Sequence, residues 1–335
     1  MPGMKIVRVT LITWTLLLAM PVHSAQRECD RQCLINIADD YLTALVAHDP
    51  DRVSLAGKIR MVENLIPIQP GEGLWKTASA LPAEFRIYVP DPVSQQIGFM
   101  VVMQESQGLE AGVNRENRFI QVALRLQLEA NEIVEAEHLI NRDIDDVAMS
   151  HLLKPRLPLL SAVPSEYRDS RQRLLAIGRS YYDALEKSNG ALAPFADDCV
   201  RHENGHQTSR NPIPEDPFND FAVFASMGCA AQLNTQIYQY IDSIDMRRVS
   251  IADEETGLAF ALSHFRQAMG NSPYKTIGVP GHSEFIDERD SYDLQLCIYS
   301  RYGVATSMRL KPSVILLTIW QGLAGSSTGS SQLVG

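Results

Sequence analysis

Basic residues are in short supply. The 335-residue chain holds 30 Lys and Arg against 40 Asp and Glu, a net charge of −10, and it has no run of Lys and Arg to offset the excess. Such a surface repels phosphate backbones and anionic headgroups over roughly a Debye length, which argues against nucleic acid and acidic membranes as partners. Apolar runs are short too. None reaches the 18 or so residues that a membrane-spanning helix needs. The familiar catalytic signatures are absent: no nucleophile elbow, phosphate loop, dinucleotide fingerprint or His-Glu-x-x-His. Serine-hydrolase, kinase, dehydrogenase and zinc-protease readings therefore have no motif to rest on. Asn-x-Ser/Thr is missing as well, since Asn271-Ser272 is followed by Pro273.

Against these absences, 45% of the chain is hydrophobic, enough for two ordinary domains with their own cores. The N-terminus carries the sharpest local signal. Lys5 and Arg8 precede the uncharged stretch Val9 to Met20, and Pro21-Val22-His23-Ser24-Ala25 supplies small residues for cleavage near Ser24 or Ala25. A basic start, an apolar core and a small-residue exit describe a secretory signal over 1–24, which predicts a secreted or lumenal protein. Loss of Lys5 and Arg8 takes the net charge from −10 to −12.

The five cysteines are Cys29, Cys33, Cys199, Cys229 and Cys297. In an oxidising compartment the preferred pairing is Cys29–Cys33 and Cys199–Cys229, although four cysteines allow three pairings. A zinc site is the rival, but the chain has no second close cysteine pair and its nearby histidines lack ligand spacing. No metal or other cofactor is expected.

An internal repeat organises the chain. Leu34, Ile37, Ala38, Tyr41 and Leu45 fall on one helical face, and an offset of 140 carries them onto Leu174, Ile177, Gly178, Tyr181 and Leu185. The same offset carries Glu63-Asn64 onto Glu203-Asn204. Strands are expected at Ile87 to Val89 and Ile97 to Met103 around the turn Asp91-Pro92. The alternation of Val122, Leu124, Leu126 and Leu128 marks another, and Ile133 to Ile140 a last one. In the second copy, a helix from Cys229 to Ile241 precedes strands at Arg247 to Ala252 and Leu258 to Leu262, with Gly98 aligned to Gly257. The expected architecture is α+β, with curved antiparallel sheets wrapped on helices. The expected divisions are 29–150 for unit 1, 151–165 for a linker and 166–296 for unit 2.

Cys29-x3-Cys33-Leu34, the Tyr41-Leu42-x-Ala44-Leu45 helix, Gly71-Glu72-Gly73-Leu74-Trp75, Phe195 to Gly205 and Asp253-Glu254-Glu255-x-Gly257-Leu258 resemble an uncharacterised secreted family found mainly in filamentous fungi. The resemblance covers roughly Cys29 to Arg266. It implies two tandem nuclear-transport-factor-2-like (SnoaL-like) cones, a superfamily that holds ketosteroid isomerases, dehydratases, epoxide hydrolases and polyketide cyclases beside members with no catalysis. It carries no activity over to this chain, because fold does not fix function.

The first copy ends in a strand-turn-strand closing on Glu135-x-Glu137, and Cys297 to Lys311 shows no equivalent. Back-translated with permitted codons and read two bases later, Cys297 to Pro312 yields His-Ile-Phe-Lys-Val-Arg-Arg-Arg-Asn-Ile-His-Glu-Val-Glu-Ala, which does. Residues 297–335 therefore read as a frame-shifted tail, and the second cone as incomplete and open at a sheet edge.

The densest polar cluster is Arg201-His202-Glu203-Asn204-Gly205-His206. His202 or Glu203 in a desolvated pocket could move a proton without a cofactor, with Glu63 as the counterpart in the first copy. The plainer alternative is that Glu and Asn tie the loop in both copies. If the segment is extended, His202 and Glu203 point to opposite faces. Trp75 offers a wall over a ligand or a core plug; Arg125 faces a cone interior or makes a cross-strand pair with Glu137; His206 is a further binding candidate. The resulting expectation is a secreted isomerase, dehydratase or cyclase acting on a small apolar metabolite. The alternative is a non-catalytic binding or scaffold protein. Homodimerisation stays open.

Overall fold

Asp30 starts the first helix: its carboxylate accepts from the Cys33 N–H at 2.9 Å, capping α1 (Arg31–Val46). The buried face is Leu34, Ala38, Tyr41, Leu42, Ala44 and Leu45, spaced as an amphipathic helix requires. The computed structural model describes residues 28–106, 109–110, 113–114, 117–216, 219–241, 243–266, 276–279, 304–311 and 314–322. The expected leader and Cys297 lie outside them. Among the described residues no helix is long and apolar enough to cross a membrane.

After α1 come β1 (Leu55–Glu63), β2 (Ile66–Ile68), a one-turn α2 (Leu74–Thr77), β3 (Ala78–Ala80), β4 (Arg86–Asp91) and β5 (Gln96–Glu105). A short ribbon follows, β6 (Leu109–Glu110) with β7 (Val113–Asn114), then the long hairpin β8 (Arg118–Glu129) and β9 (Glu132–Asn141). The sheet runs β2-β1-β9-β8-β5-β3, with β4 also on β5. It curls as a half-barrel round α1. Val122, Leu124, Leu126 and Leu128 of β8 point to the helix, together with Ile133, Ala136 and Ile140 of β9. These are the faces that the sequence alternation marks. α3 (Asp146–Leu152) then leads into the connection.

The second sheet repeats the plan with differences. Ser170 caps α4 (Arg171–Glu186), whose buried face includes Leu174, Ile177, Tyr181 and Leu185. β10 (Arg201–Glu203), β11 (His206–Gln207), α5 (Asp220–Ser226), α6 (Cys229–Asn234), β12 (Ser243–Asp253), β13 (Leu258–Arg266), β14 (Val304–Lys311) and β15 (Val314–Gly322) complete it. The helix expected over Cys229 to Ile241 breaks after Asn234, where Gln236 takes a left-handed φ of 66° before a short 3-10 turn. Cys29 pairs with Cys33 and Cys199 with Cys229, as preferred from the sequence.

The expectation that the second sheet lacks closing strands is corrected by β14 and β15, which pair with each other antiparallel. Their placement differs from that of the first hairpin. In the first sheet β9 lies parallel to β1 and β8 antiparallel to β5. In the second, β14 lies antiparallel to β10 and β15 parallel to β13. The order of the hairpin's two strands is reversed.

The two sheets pack back to back through a third apolar cluster. Ile87, Val89 and Met100 from the first meet Ile251, Leu258, Phe260 and Leu262 from the second, with Leu152 and Leu159 at the rim. The facing hairpins are equivalent in register: Val89 pairs with Gly98 and Ile251 with Phe260, each 162 residues on. Gly98 therefore corresponds to Phe260, and not to Gly257 as the sequence alignment had it. The two equivalent positions also touch. A Cβ on Gly98 would stand 2.3 Å from the Phe260 ring, so Gly98 is the hole into which that ring fits.

Candidate functional site

Inside the first sheet, the glycines of Gly71-Glu72-Gly73-Leu74-Trp75 set the geometry. Gly73 takes a left-handed φ of 59°, and any Cβ there would collide with the Glu63 carboxylate. That close approach lets Glu63 accept from the Leu74 N–H at 2.7 Å and seat α2. Asn64, at φ 46°, exchanges side-chain bonds with the backbone of Ile140, 2.8 Å to its N–H and 3.3 Å to its carbonyl. Glu63 and Asn64 thus tie loop and strand together in the first sheet.

Behind Glu63 lies a group that the sequence reading did not single out. His138 of β9 is wholly buried, with Nε2 2.8 Å from the Tyr41 hydroxyl and Nδ1 3.7 Å from Glu63. Trp75, 1% exposed, sets its ring edge-on to Tyr41 at 5.2 Å and plugs the core. Burial works against charge on Glu63, but His138, the Leu74 N–H and Arg142 together hold its carboxyl below the usual range. Burial pushes the Tyr41 hydroxyl upward. A signal for His138 was available: Ala136, His138 and Ile140 alternate on the inward face of β9, so a histidine interrupts an otherwise apolar register.

The second sheet places a different set at the corresponding place. Arg201 and Glu203 of β10 point inward, both almost wholly buried, with Arg201 Nε 3.0 Å from Glu203 and 3.1 Å from the Thr208 hydroxyl. The Arg201 guanidinium lies over the Tyr238 ring at 5.5 Å. Burial pushes the Glu203 carboxyl upward, only partly offset by Arg201. The Tyr181 hydroxyl and both Glu203 oxygens lack a well-aligned hydrogen-bond partner.

The remaining candidates lie elsewhere. His202 shares β10 with Glu203 but faces the other way, into a small cavity near the contact between the sheets, with Gly205 and His151. Arg125 does not face the interior of the half-barrel. It lies on the outer face of β8, bonded to Glu137 at 2.6 Å, to Gln96 at 2.7 Å and to Glu135. Glu137 in turn binds Arg248 of the second sheet at 2.5 Å, so Arg125 belongs to an ion network joining the sheets. His206 is half exposed and pairs with Asp145 at 3.1 Å. The structure therefore does not bring His202, Glu203, Glu63, Trp75, Arg125 and His206 together. Among the described residues no group of three His, Cys, Asp or Glu could hold a metal ion.

Comparisons with known proteins add little to this geometry. A family model described as a domain of unknown function (DUF8021) matches residues 167–290. No curated protein matches the chain. Among solved structures, PrhC from Penicillium brasilianum NBRC 6234 is similar at 14% identity and a TM-score of 0.27, over 33% of this chain and 82% of its own. AclR, a putative hydroxylase from Streptomyces galilaeus, is similar at 14% identity and a TM-score of 0.24, over 36% of this chain and 94% of its own.

Proposed function

We propose that the chain is a duplicated cone-fold module, exported from the cell, that serves as a non-catalytic binding or scaffold protein. The observation that carries this reading is the occupancy of the first interior. Tyr41 and His138 have no accessible surface and Trp75 has 1%, so their potential proton-transfer groups are turned toward one another and closed to an entering substrate. A general acid or base must come within hydrogen-bond reach of the proton it moves, and these side chains offer no such approach. Their bonds are those of a polar core that fixes the helix on the sheet. The paired disulfides support an oxidising compartment.

One observation favours the enzyme reading instead. Burial pushes the Glu203 carboxyl upward toward the protonated form that a general acid needs, although it too is enclosed and paired with Arg201. Rescue of a deletion strain separates the two. Metabolite profiles are compared for strains expressing the wild type, Glu63→Gln, Glu203→Gln and His202→Ala, with secreted levels of each variant measured. The binder reading expects all three variants, once secreted, to restore the profile. A variant secreted at wild-type level that leaves a single accumulated precursor would establish catalysis.

A further inference from the structure

The contact between the two sheets is reciprocal in its charges and lopsided at its centre. Arg31 reaches Asp253 and Arg171 reaches Asp91, each at 2.8 Å, and the two bridges occupy equivalent places. A like pair, first sheet on first or second on second, would form the same bridges, so they do not choose between partners. The facing hairpins share one register, with Val89 opposite Gly98 and Ile251 opposite Phe260. The equivalent positions 98 and 260 touch, which places them on the axis that relates the sheets. A residue on such an axis meets its own copy in any like pair.

Neither Gly98 nor Phe260 fits its own copy. The Phe260 ring is 1% exposed and lies where a Cβ of Gly98 would stand, 2.3 Å away. Two first sheets would set Gly98 against Gly98 and leave a hole where the ring stands. Two second sheets would drive Phe260 into Phe260, an overlap that a close-packed interior relieves only by shifting backbone. A second difference points the same way. Asp91 accepts from the Ala252 N–H at 3.0 Å, and the position equivalent to Ala252 is Pro90, which has no N–H to offer. In a pair of first sheets the nearly inaccessible Asp91 would lose that donor.

We propose that the outer faces of the two sheets form a heterospecific recognition surface. Each accepts the unlike sheet, from its own chain or from a second copy of this chain, and refuses its like. The Phe260 knob and the Gly98 hole set the choice, as specificity requires an element that penalises the wrong partner. The surrounding apolar cluster and the arginine bridges supply the strength. No disulfide crosses the contact, since Cys29–Cys33 lies in the first half and Cys199–Cys229 in the second. The connection between the halves therefore provides proximity and not recognition. This reading is independent of what either interior binds.

The test uses the full oxidised chain with a protease site inserted between Ser161 and Ala162, both exposed, and cut after folding. The two halves should leave a sizing column together. Cut chains with an affinity tag on the first half are then mixed with isotope-labelled, untagged cut chains in urea that separates the halves. The urea is diluted out, with the intact chain as refolding control. Capture through the tag should bring down labelled second halves and no labelled first halves. Gly98→Phe and Phe260→Gly should each weaken the cut pair about a hundredfold, and the double variant should recover most of that loss. Each variant is first shown to be folded as an intact chain by near-ultraviolet circular dichroism. If Gly98→Phe does not fold, Phe260→Gly and the double variant carry the comparison. Halves that separate on cutting, or that fail to pair again where the intact chain refolds, overturn the proposal. So do labelled first halves captured as readily as second halves, and a double variant no better than either single one. None of these readouts depends on the deletion strain, so this proposal and the proposed function fail separately.

Discussion

His202 shows how burial and neighbouring charge decide what a residue can do. The sequence marked it as a proton-transfer group because a carboxylate follows it, yet strand alternation sends Glu203 inward and His202 toward the sheet contact. There, burial and Arg156 hold it neutral down to about pH 3, against an ordinary value of 6.5. The linkage has a definite sign. Above pH 6.5 the residue is neutral in folded and unfolded chains and contributes no pH dependence. As the pH falls from 6.5 toward 3, the unfolded chain takes up a proton that the folded chain refuses, so folded stability is lost. Urea unfolding between pH 8 and pH 3.5 should show the wild type losing stability relative to His202→Gln as acid is added, and a constant difference above pH 7. A constant difference over the whole range would mean that His202 titrates freely.

At the scale of elements, the joint between the sheets is a reciprocal pair of ion bridges. Arg31, the first residue of α1, binds Asp253 at the end of β12 at 2.8 Å. Arg171, the first residue of α4, binds Asp91 at the end of β4 at 2.8 Å. Each aspartate also organises the hairpin turn after it: Asp91 accepts from the Val93 and Ser94 N–H groups, Asp253 from the Glu255 N–H and the Thr256 hydroxyl. Asp91 in addition accepts from the Ala252 N–H of the other sheet at 3.0 Å. Both aspartates are nearly inaccessible, so truncating either leaves several buried donors without their acceptor, while each arginine keeps a second partner. Asp91→Ala and Asp253→Ala should each cost about 3–5 kcal/mol in urea unfolding. Arg31→Ala should cost less, since that arginine stays partly in water and the hairpin bonds of Asp253 survive. Equal losses for the arginine and aspartate variants would reduce the bridges to surface pairs.

Much of this level was legible in the sequence. Helical periodicity located α1 and α4, and two-residue alternation located β8, because each pattern follows directly from one buried face. Arg125 was harder. The apolar alternation of β8 put Arg125 on the face away from α1; what the sequence did not show is that the second sheet lies over that face, with Glu137 and Arg248 joining it there. Gly98 was misaligned for a related reason: a glycine was matched to a glycine, whereas at a contact between equivalent positions one side needs the hole and the other the ring. His138 was overlooked because it carries no motif, and its partners come from sequence positions 97 and 75 residues away.

For the whole molecule, these contacts have the character of a two-fold association within one chain. Equivalent strands face each other, equivalent arginines reach equivalent aspartates, and Gly98 meets its own counterpart Phe260. Isologous interfaces have this reciprocity. The reversed closing hairpin departs from it. Orientation of a strand pair is specified where hydrophobic alternation distinguishes the two faces. Glu132 to Ile140 alternates in this way, while Val314-Ile-Leu-Leu-Thr-Ile-Trp320 is almost continuously apolar and specifies neither face. Read two bases later from codon 297, the same stretch yields a Glu-x-Glu strand like the one that lies beside β1 in the first sheet. If the frame is shifted, the secreted chain carries that peptide in place of β14 and β15 as written. Mass spectrometry of the secreted chain decides the matter: tryptic peptides such as the one ending at Arg309 appear only if the frame is as written, and their detection at full abundance would refute the shifted ending. The same chain with the restored strand should resist proteolysis after β13 better than the chain as written, because a parallel partner for β10 closes the sheet in the order that the first sheet uses.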